Sequence, residues 1–278
     1  MTSEETVMTT VTTVNTVRSH DGTPIAFERT GDGPPLILVD GALCHRACGP
    51  ARPLAARLAD RFTVYAYDRR GRGDSGDAAP YWVEREVEDI DALIRHAGGS
   101  AHVYGISSGA VLALEAANRG LAIDRLAVYE APFVVDDSRP PIPDGYRARL
   151  LELLADGRRA DAVRHFMRNA AGLPPVVVTL MRLMPAWPKL TAVAHTLAYD
   201  HEILGDTGSG RPLSACRWAE ATVPTLALAG GKSPQWMRTA MRSLAGVLPD
   251  ARYRTLAGQT HMVKPKALAP VLAEFFAD

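Results

Sequence analysis

Leu36-Ile37-Leu38-Val39 is an unbroken run of β-prone aliphatic residues. A run with no polar alternation belongs in a strand covered on both faces, as in a parallel sheet flanked by helices. The rest of the chain repeats the demand. Phe62 to Tyr67, Ala101 to Tyr104, Leu126 to Tyr129, Pro224 to Ala229 and Arg252 to Leu256 read as strands. Between and after them, Val83 to Ala97, Ser108 to Arg119, Trp236 to Leu248 and Pro265 to Phe276 read as helices. Such alternation requires right-handed crossovers and a mostly parallel sheet, whose ligands bind beyond the carboxyl ends of the strands.

The start of this pattern is different. Thr16 to Thr30 reads as two antiparallel strands around Asp21-Gly22, a pair that tolerates positive φ in a tight turn. Residues 1–15 are rich in threonine and read as a loose tail, without the basic start and apolar run of a secretory signal. From Pro132 the alternation is interrupted by prolines and Asp136-Asp137, and helical, Arg- and Leu-rich sequence follows to about Tyr199. The expected organisation is a core of residues 16–131 and 222–278 with a helical lid, 132–221, inserted in it.

Composition bounds the partners. The 31 basic and 31 acidic residues among 278 cancel, so no global field draws the protein toward nucleic acid or an anionic membrane. A small neutral molecule is the expected partner, and a homodimer is left open. Every long apolar stretch is broken by Gly, Pro or Arg, which predicts no membrane span. Cys44, Cys48 and Cys216 cannot all pair within one chain and lack a two-by-two metal spacing. A cytoplasmic protein without metal or cofactor is therefore expected.

The chemistry centres on Gly105-Ile106-Ser107-Ser108-Gly109, a G-x-S-x-G sequence with a strand before it and a helix after it. A sharp strand-to-helix turn strains the serine backbone and lifts its hydroxyl clear, and glycines on either side prevent collisions. A serine hydroxyl needs a positioned base, and histidine has the matching proton affinity near pH 7. His261 lies on a loop just after Arg252 to Leu256. His20, His96 and His102 fall in the opening hairpin, at a helix end and within a strand, and His165, His195 and His201 fall in the lid.

These motifs, in this order, resemble the α/β-hydrolase superfamily from about Thr16 to the C-terminus. Gly105 to Gly109 matches the nucleophile elbow, Asp68-Arg69-Arg70-Gly71-Arg72-Gly73-Asp74-Ser75 the turn after the preceding strand, and Gly258-Gln259-Thr260-His261 the histidine loop. The resemblance implies Ser107 as nucleophile and His261 as base, while the Asp68 to Ser75 turn is expected to be structural. In most relatives the third member is an aspartate after the strand corresponding to Pro224 to Ala229, but Ser233 stands there. Serine cannot carry the charge that stabilises an imidazolium. Some members, including a group of haloalkane dehalogenases, take the acid from the end of the preceding strand, where this chain has Glu130. Glu130 is thus the expected acid, with Asp200 and Asp206 as fallbacks.

The family's oxyanion hole uses the backbone N–H after the nucleophile and one from the loop after Leu36 to Val39, which implies Ser108 and Ala42. Many relatives have His-Gly in that loop, whereas this chain has Asp40-Gly41, and Asp40 is expected to be tied in locally. In the lid, Met167, Met181, Met184, Trp187 and Tyr199 suit an apolar wall, with Met181, Met184, Trp187 and Tyr199 as the candidate substrate contacts. The expected activity is hydrolysis of an ester, thioester or lactone through an acyl-serine. The same set serving carbon–carbon hydrolysis, acyl transfer or rearrangement is the first alternative, and a non-catalytic ligand-binding relative is the second.

Overall fold

The computed structural model describes residues 14–277. The chain opens with β1 (Val14–Arg18) and β2 (Pro24–Thr30), an antiparallel pair with Val17 opposite Ile25. Their turn closes through Ser19 N–H to the Thr23 carbonyl at 2.9 Å, around a left-handed Gly22. Val14 and Asn15, expected in the tail, belong to this pairing, and the remainder of that expectation, residues 1–13, lies outside the described residues.

Then come β3 (Pro35–Val39), α1 (Ala51–Leu58), β4 (Thr63–Tyr67), α2 (Val83–His96), β5 (Ala101–Ile106), α3 (Ser108–Asn118) and β6 (Ile123–Tyr129). Five helices follow: α4 (Tyr146–Ala155), α5 (Arg159–Asn169), α6 (Pro175–Met181), α7 (Trp187–Ala192) and α8 (Leu197–Leu204). The core resumes with β7 (Thr225–Gly230), α9 (Gln235–Val247), β8 (Ala251–Leu256) and α10 (Pro265–Ala277).

All eight strands form one sheet in the order β1-β2-β4-β3-β5-β6-β7-β8, parallel from β4 to β8. Every residue of β4 and β5 is buried, which explains why their sequences, Thr63 and His102 apart, are apolar. On α2, Val87, Ile90, Leu93 and Ile94 recur at helical spacing and pack on one face of the sheet with α3 and α9. The other face is covered by α1 and α10, where Leu54 and Leu58 meet Leu272 and Phe276. Because α3 runs through the packed layer, Ala110 to Ala117 are apolar almost all round and buried.

The inserted helices have their own core of Tyr146, Leu150, Leu153, Ala162, Val163, Met167, Val178 and Leu197. Leu43, from the loop after β3, joins that cluster, and the half-buried Ala42 packs against it. Inserted helices that close their apolar cluster on Leu43 sit above the carboxyl ends of the central strands.

The direction of chain progression reverses between β3, which feeds β4 on one side, and β5, which begins the march to the other edge. Val39 and Gly105, at the ends of these strands, are opposite each other. Loops leaving the two strand ends diverge there and leave a crevice, the favoured ligand position in such sheets.

Candidate active site

Ser107 stands at that crevice, between β5 and α3, with φ 57° and ψ −128°. For a residue with a Cβ this is a strained backbone, costing about 1–3 kcal/mol. The neighbours make it feasible. A Cβ on Gly105 would meet the Gly109 carbonyl oxygen at 2.5 Å, and one on Gly109 would meet the Val39 carbonyl oxygen at 2.3 Å. Only glycines let the elbow fold this tightly against α3 and the end of β3. The loop after β3 comes equally close, since a Cβ on Gly41 would lie 2.9 Å from Ser107 Cβ and 3.4 Å from its Oγ. Ala42, next in sequence, is half-buried, and Ser108 is buried.

Glu130 follows β6 directly and has φ 46°, again left-handed for a non-glycine residue. Its side chain is fully buried. One carboxylate oxygen accepts the Gly230 N–H at 2.7 Å, and the other lies 2.8 Å from His261 Nδ1. A buried carboxylate aimed at one ring nitrogen fixes the tautomer by accepting Nδ1–H, which leaves Nε2 as the free acceptor.

The histidine loop is held from two sides. Tyr129 donates its hydroxyl to the Thr260 carbonyl at 2.7 Å, and burial together with Glu130 raises the phenol pKa, so the group stays a donor. From the loop after β7, Lys232 N–H reaches the Gln259 carbonyl at 2.8 Å and Gly231 N–H the Leu256 carbonyl at 2.8 Å. Ser233, where most relatives of this resemblance have the acid, is buried, and its hydroxyl has no hydrogen-bond partner. The β7 loop therefore supports the histidine loop through its backbone, and the negative charge comes from β6.

Asp200 and Asp206 have other surroundings. Asp206 is exposed beside Arg217 at 2.7 Å and Arg211 at 3.7 Å. Asp200, on α8, is buried against Arg72, Arg69 and the Ser108 hydroxyl. Burial pushes its carboxyl up, but Arg72, Arg69 and the Ser108 bond outweigh that and hold it below the usual carboxylate range. Sequence reasoning missed this contact. The available signal was three arginines within the four residues Arg69 to Arg72, which need buried anions from elsewhere in the fold. The structure supplies Glu86 to Arg69, Asp89 and Asp21 to Arg70, and Asp200 to Arg69 and Arg72. The turn's own Asp68 accepts from Arg46 and from the Asp74 N–H.

Asp40 is folded into its loop. Desolvation raises its carboxyl pKa to about 7 against opposing contributions from an Ala51 N–H bond, Arg72 and Arg69, and Oδ2 is buried without a partner. Burial, aided by Asp40, likewise pushes the nearby Cys44 thiol up to about 12, so this cysteine is a poor nucleophile or metal ligand. Cys44, Cys48 and Cys216 are free thiols. Among the described residues, no three His, Cys, Asp or Glu side chains are grouped to hold a metal ion.

The candidate residues of the inserted helices divide. Met167 is buried in their apolar cluster, and Met181 and Trp187 are half-buried against the cluster, which also contains Leu43. Met184 is 50% exposed and stands outside that cluster. Tyr199 stacks on Tyr81 with ring centroids 4.0 Å apart and donates its hydroxyl to Asp77 at 2.9 Å, so it tethers α8 to the segment between β4 and α2. Its polar end is thus engaged away from an apolar wall. Among the described residues, no helix is long and apolar enough to cross a membrane.

Comparison with known proteins agrees with the fold. Residues 37–271 match the model of the "Alpha/beta hydrolase family". An α/β hydrolase of Sphaerobacter thermophilus DSM 20745 is 57% identical, with TM-score 0.88 over 94% of this chain and 100% of that one. The enol-lactonase of Burkholderia xenovorans LB400 shares the fold, with 22% identity and TM-score 0.68 over 95% of this chain and 100% of that one. In Bacillus subtilis (strain 168), the uncharacterized hydrolase YraK is 36% identical over 101 residues, 34% of this chain. That match spans about a third of the curated relative, 35% of its length.

Proposed function

The chain belongs to the α/β-hydrolase family, and on that premise we propose that it is a cytoplasmic serine hydrolase cleaving an ester, thioester or lactone of a small, largely apolar molecule. The observation that carries this reading is the 2.8 Å contact between His261 Nδ1 and the fully buried Glu130, on the side of the sheet end where Ser107 sits in its strained turn.

With Nδ1–H committed to Glu130, the other ring nitrogen takes the Ser107 proton as Oγ attacks the acyl carbon. The carbonyl π electrons move onto oxygen, and that oxyanion accepts from the N–H groups of Ala42 and Ser108. Collapse expels the alkoxide or thiolate, which takes the proton back from the imidazolium and leaves acyl-Ser107. Water then repeats the sequence, giving its proton to His261 and its oxygen to the acid product. Glu130 remains ionised throughout and stabilises the imidazolium. Apolar substrate preference is supported by the cluster that joins Leu43 to half-buried Met181 and Trp187.

The test is Ser107→Ala assayed with a p-nitrophenyl ester, alongside intact-mass detection of a fluorophosphonate adduct. Turnover and adduct should both vanish while circular dichroism stays unchanged. Turnover retained by the folded variant would overturn the assignment.

A further inference from the structure

Both backbone donors of the proposed oxyanion hole are fastened to the same lid side chain. Asp200 of α8 is 3% exposed, and its Oδ1 accepts the Ser108 hydroxyl at 2.7 Å and Arg69 Nη1 at 2.8 Å. Arg72 Nη2 lies 2.9 Å from each of its oxygens. The other arm of Arg72, Nη1, donates to the Gly41 carbonyl at 2.6 Å. Arg69 Nη1 also donates to the Asp40 carbonyl and to Ser108 Oγ, each at 3.3 Å.

The Gly41 carbonyl and the Ala42 N–H belong to one planar trans peptide group, so they point in opposite directions. Holding the carbonyl on a guanidinium therefore sets the direction of the N–H. It also draws electron density from the amide, which makes the N–H a stronger donor. On the opposite side of the hole, the Ser108 hydroxyl bond anchors the first residue of α3, whose own N–H is the second donor. Asp200 is the one carboxylate paired with Arg72 among the described residues.

We infer that Asp200 is a positioning residue for the oxyanion hole: its carboxylate orients the Ala42 donor through Arg72 and Gly41, and the Ser108 donor through the Ser108 hydroxyl. Seating of α8 on the core and completion of the hole are then one event. The inference rests on the serine mechanism above and extends it, since a donor array that matters only to a tetrahedral oxyanion should affect kcat and leave ground-state binding nearly intact.

The experiment compares Asp200→Asn, Arg72→Lys and Ser108→Ala with wild type, using a p-nitrophenyl ester and a pair of inhibitors. One is a trifluoromethyl ketone, which forms a tetrahedral adduct on the serine, and the other is the matching methyl ketone. Asp200→Asn should lower kcat about 10- to 100-fold, less than the about 100- to 1,000-fold cost of removing an oxyanion donor outright, with KM changed less than threefold. Trifluoromethyl ketone inhibition should weaken in proportion, and methyl ketone inhibition by less than twofold. Asp77→Ala, which removes the acceptor of the Tyr199 hydroxyl bond between α8 and the core, should leave kcat within twofold and so separates hole alignment from lid loosening.

A folded Asp200→Asn with wild-type kcat, or with both ketones weakened equally, would overturn the inference. Should that variant fail to fold, Arg72→Lys and Ser108→Ala decide by the same readouts, and normal kcat in both overturns it. Ester turnover by Ser107→Ala would retire the serine mechanism itself. An inert Ser107→Ala beside an unimpaired Asp200→Asn retires only the positioning role.

Discussion

Replacing Asp40 by Asn should make the protein more resistant to unfolding, by an amount that grows with pH. Asp40 is fully buried, Oδ2 has no donor, and desolvation lifts the carboxyl from 3.8 to about 7. Between those values the native state keeps a proton that the unfolded chain has already released. Stability therefore falls as pH rises through this window and levels off above pH 7. From pH 5 to pH 8, two pKa values of 3.8 and about 7 give a loss of about 3 kcal/mol. Asn has nearly the same shape, can keep the Ala51 N–H bond through its carbonyl oxygen, and does not titrate. Urea unfolding at pH 5, 6, 7 and 8 should show wild type losing this increment relative to Asp40→Asn. Asp89, whose carboxyl desolvation raises to about 6 against Arg70, contributes equally to both proteins and cancels in the difference. Parallel stability curves across the whole range would refute the reasoning, because they would mean that Asp40 is ionised in the native state at pH 5 or solvated in both states.

Glu130→Gln keeps a hydrogen-bonding side chain but removes the charge that stabilises the imidazolium, and kcat on a p-nitrophenyl ester should fall at least about 100-fold with KM little changed. Tyr129→Phe deletes the bond to the Thr260 carbonyl, which should cost about 1 kcal/mol in urea unfolding and lower kcat without changing the pH dependence of what remains.

The central sheet was readable because buried parallel strands force continuous aliphatic runs, as at Leu36 to Val39, and α3 because a glycine-flanked serine separates it from β5. The lid was readable only as helix. Its contacts depend on where α8 lands, and no local pattern in Leu197 to Leu204 announces that Asp200 meets Arg69 and Arg72 from a turn more than 120 residues away. The partners of polar side chains in the inserted helices are hidden for the same reason. Tyr199 suits an apolar wall by composition, yet its hydroxyl requires a partner and finds Asp77. The contact of Glu130 with His261 was foreseeable because the position after β7 holds Ser233, and the resemblance offered the end of β6 as another place for a carboxylate.

Glu130 sits at the terminus of a central strand, while His261 hangs on a connecting segment. The carboxylate is consequently placed by the sheet itself, whereas the imidazole is placed by the few hydrogen bonds that pin its loop. Warming should misalign the pair by loosening residues 257–262 well before the sheet itself yields. Heat tolerance of the reaction and heat tolerance of the scaffold thus become separate quantities, the first governed by the stiffness of one short stretch.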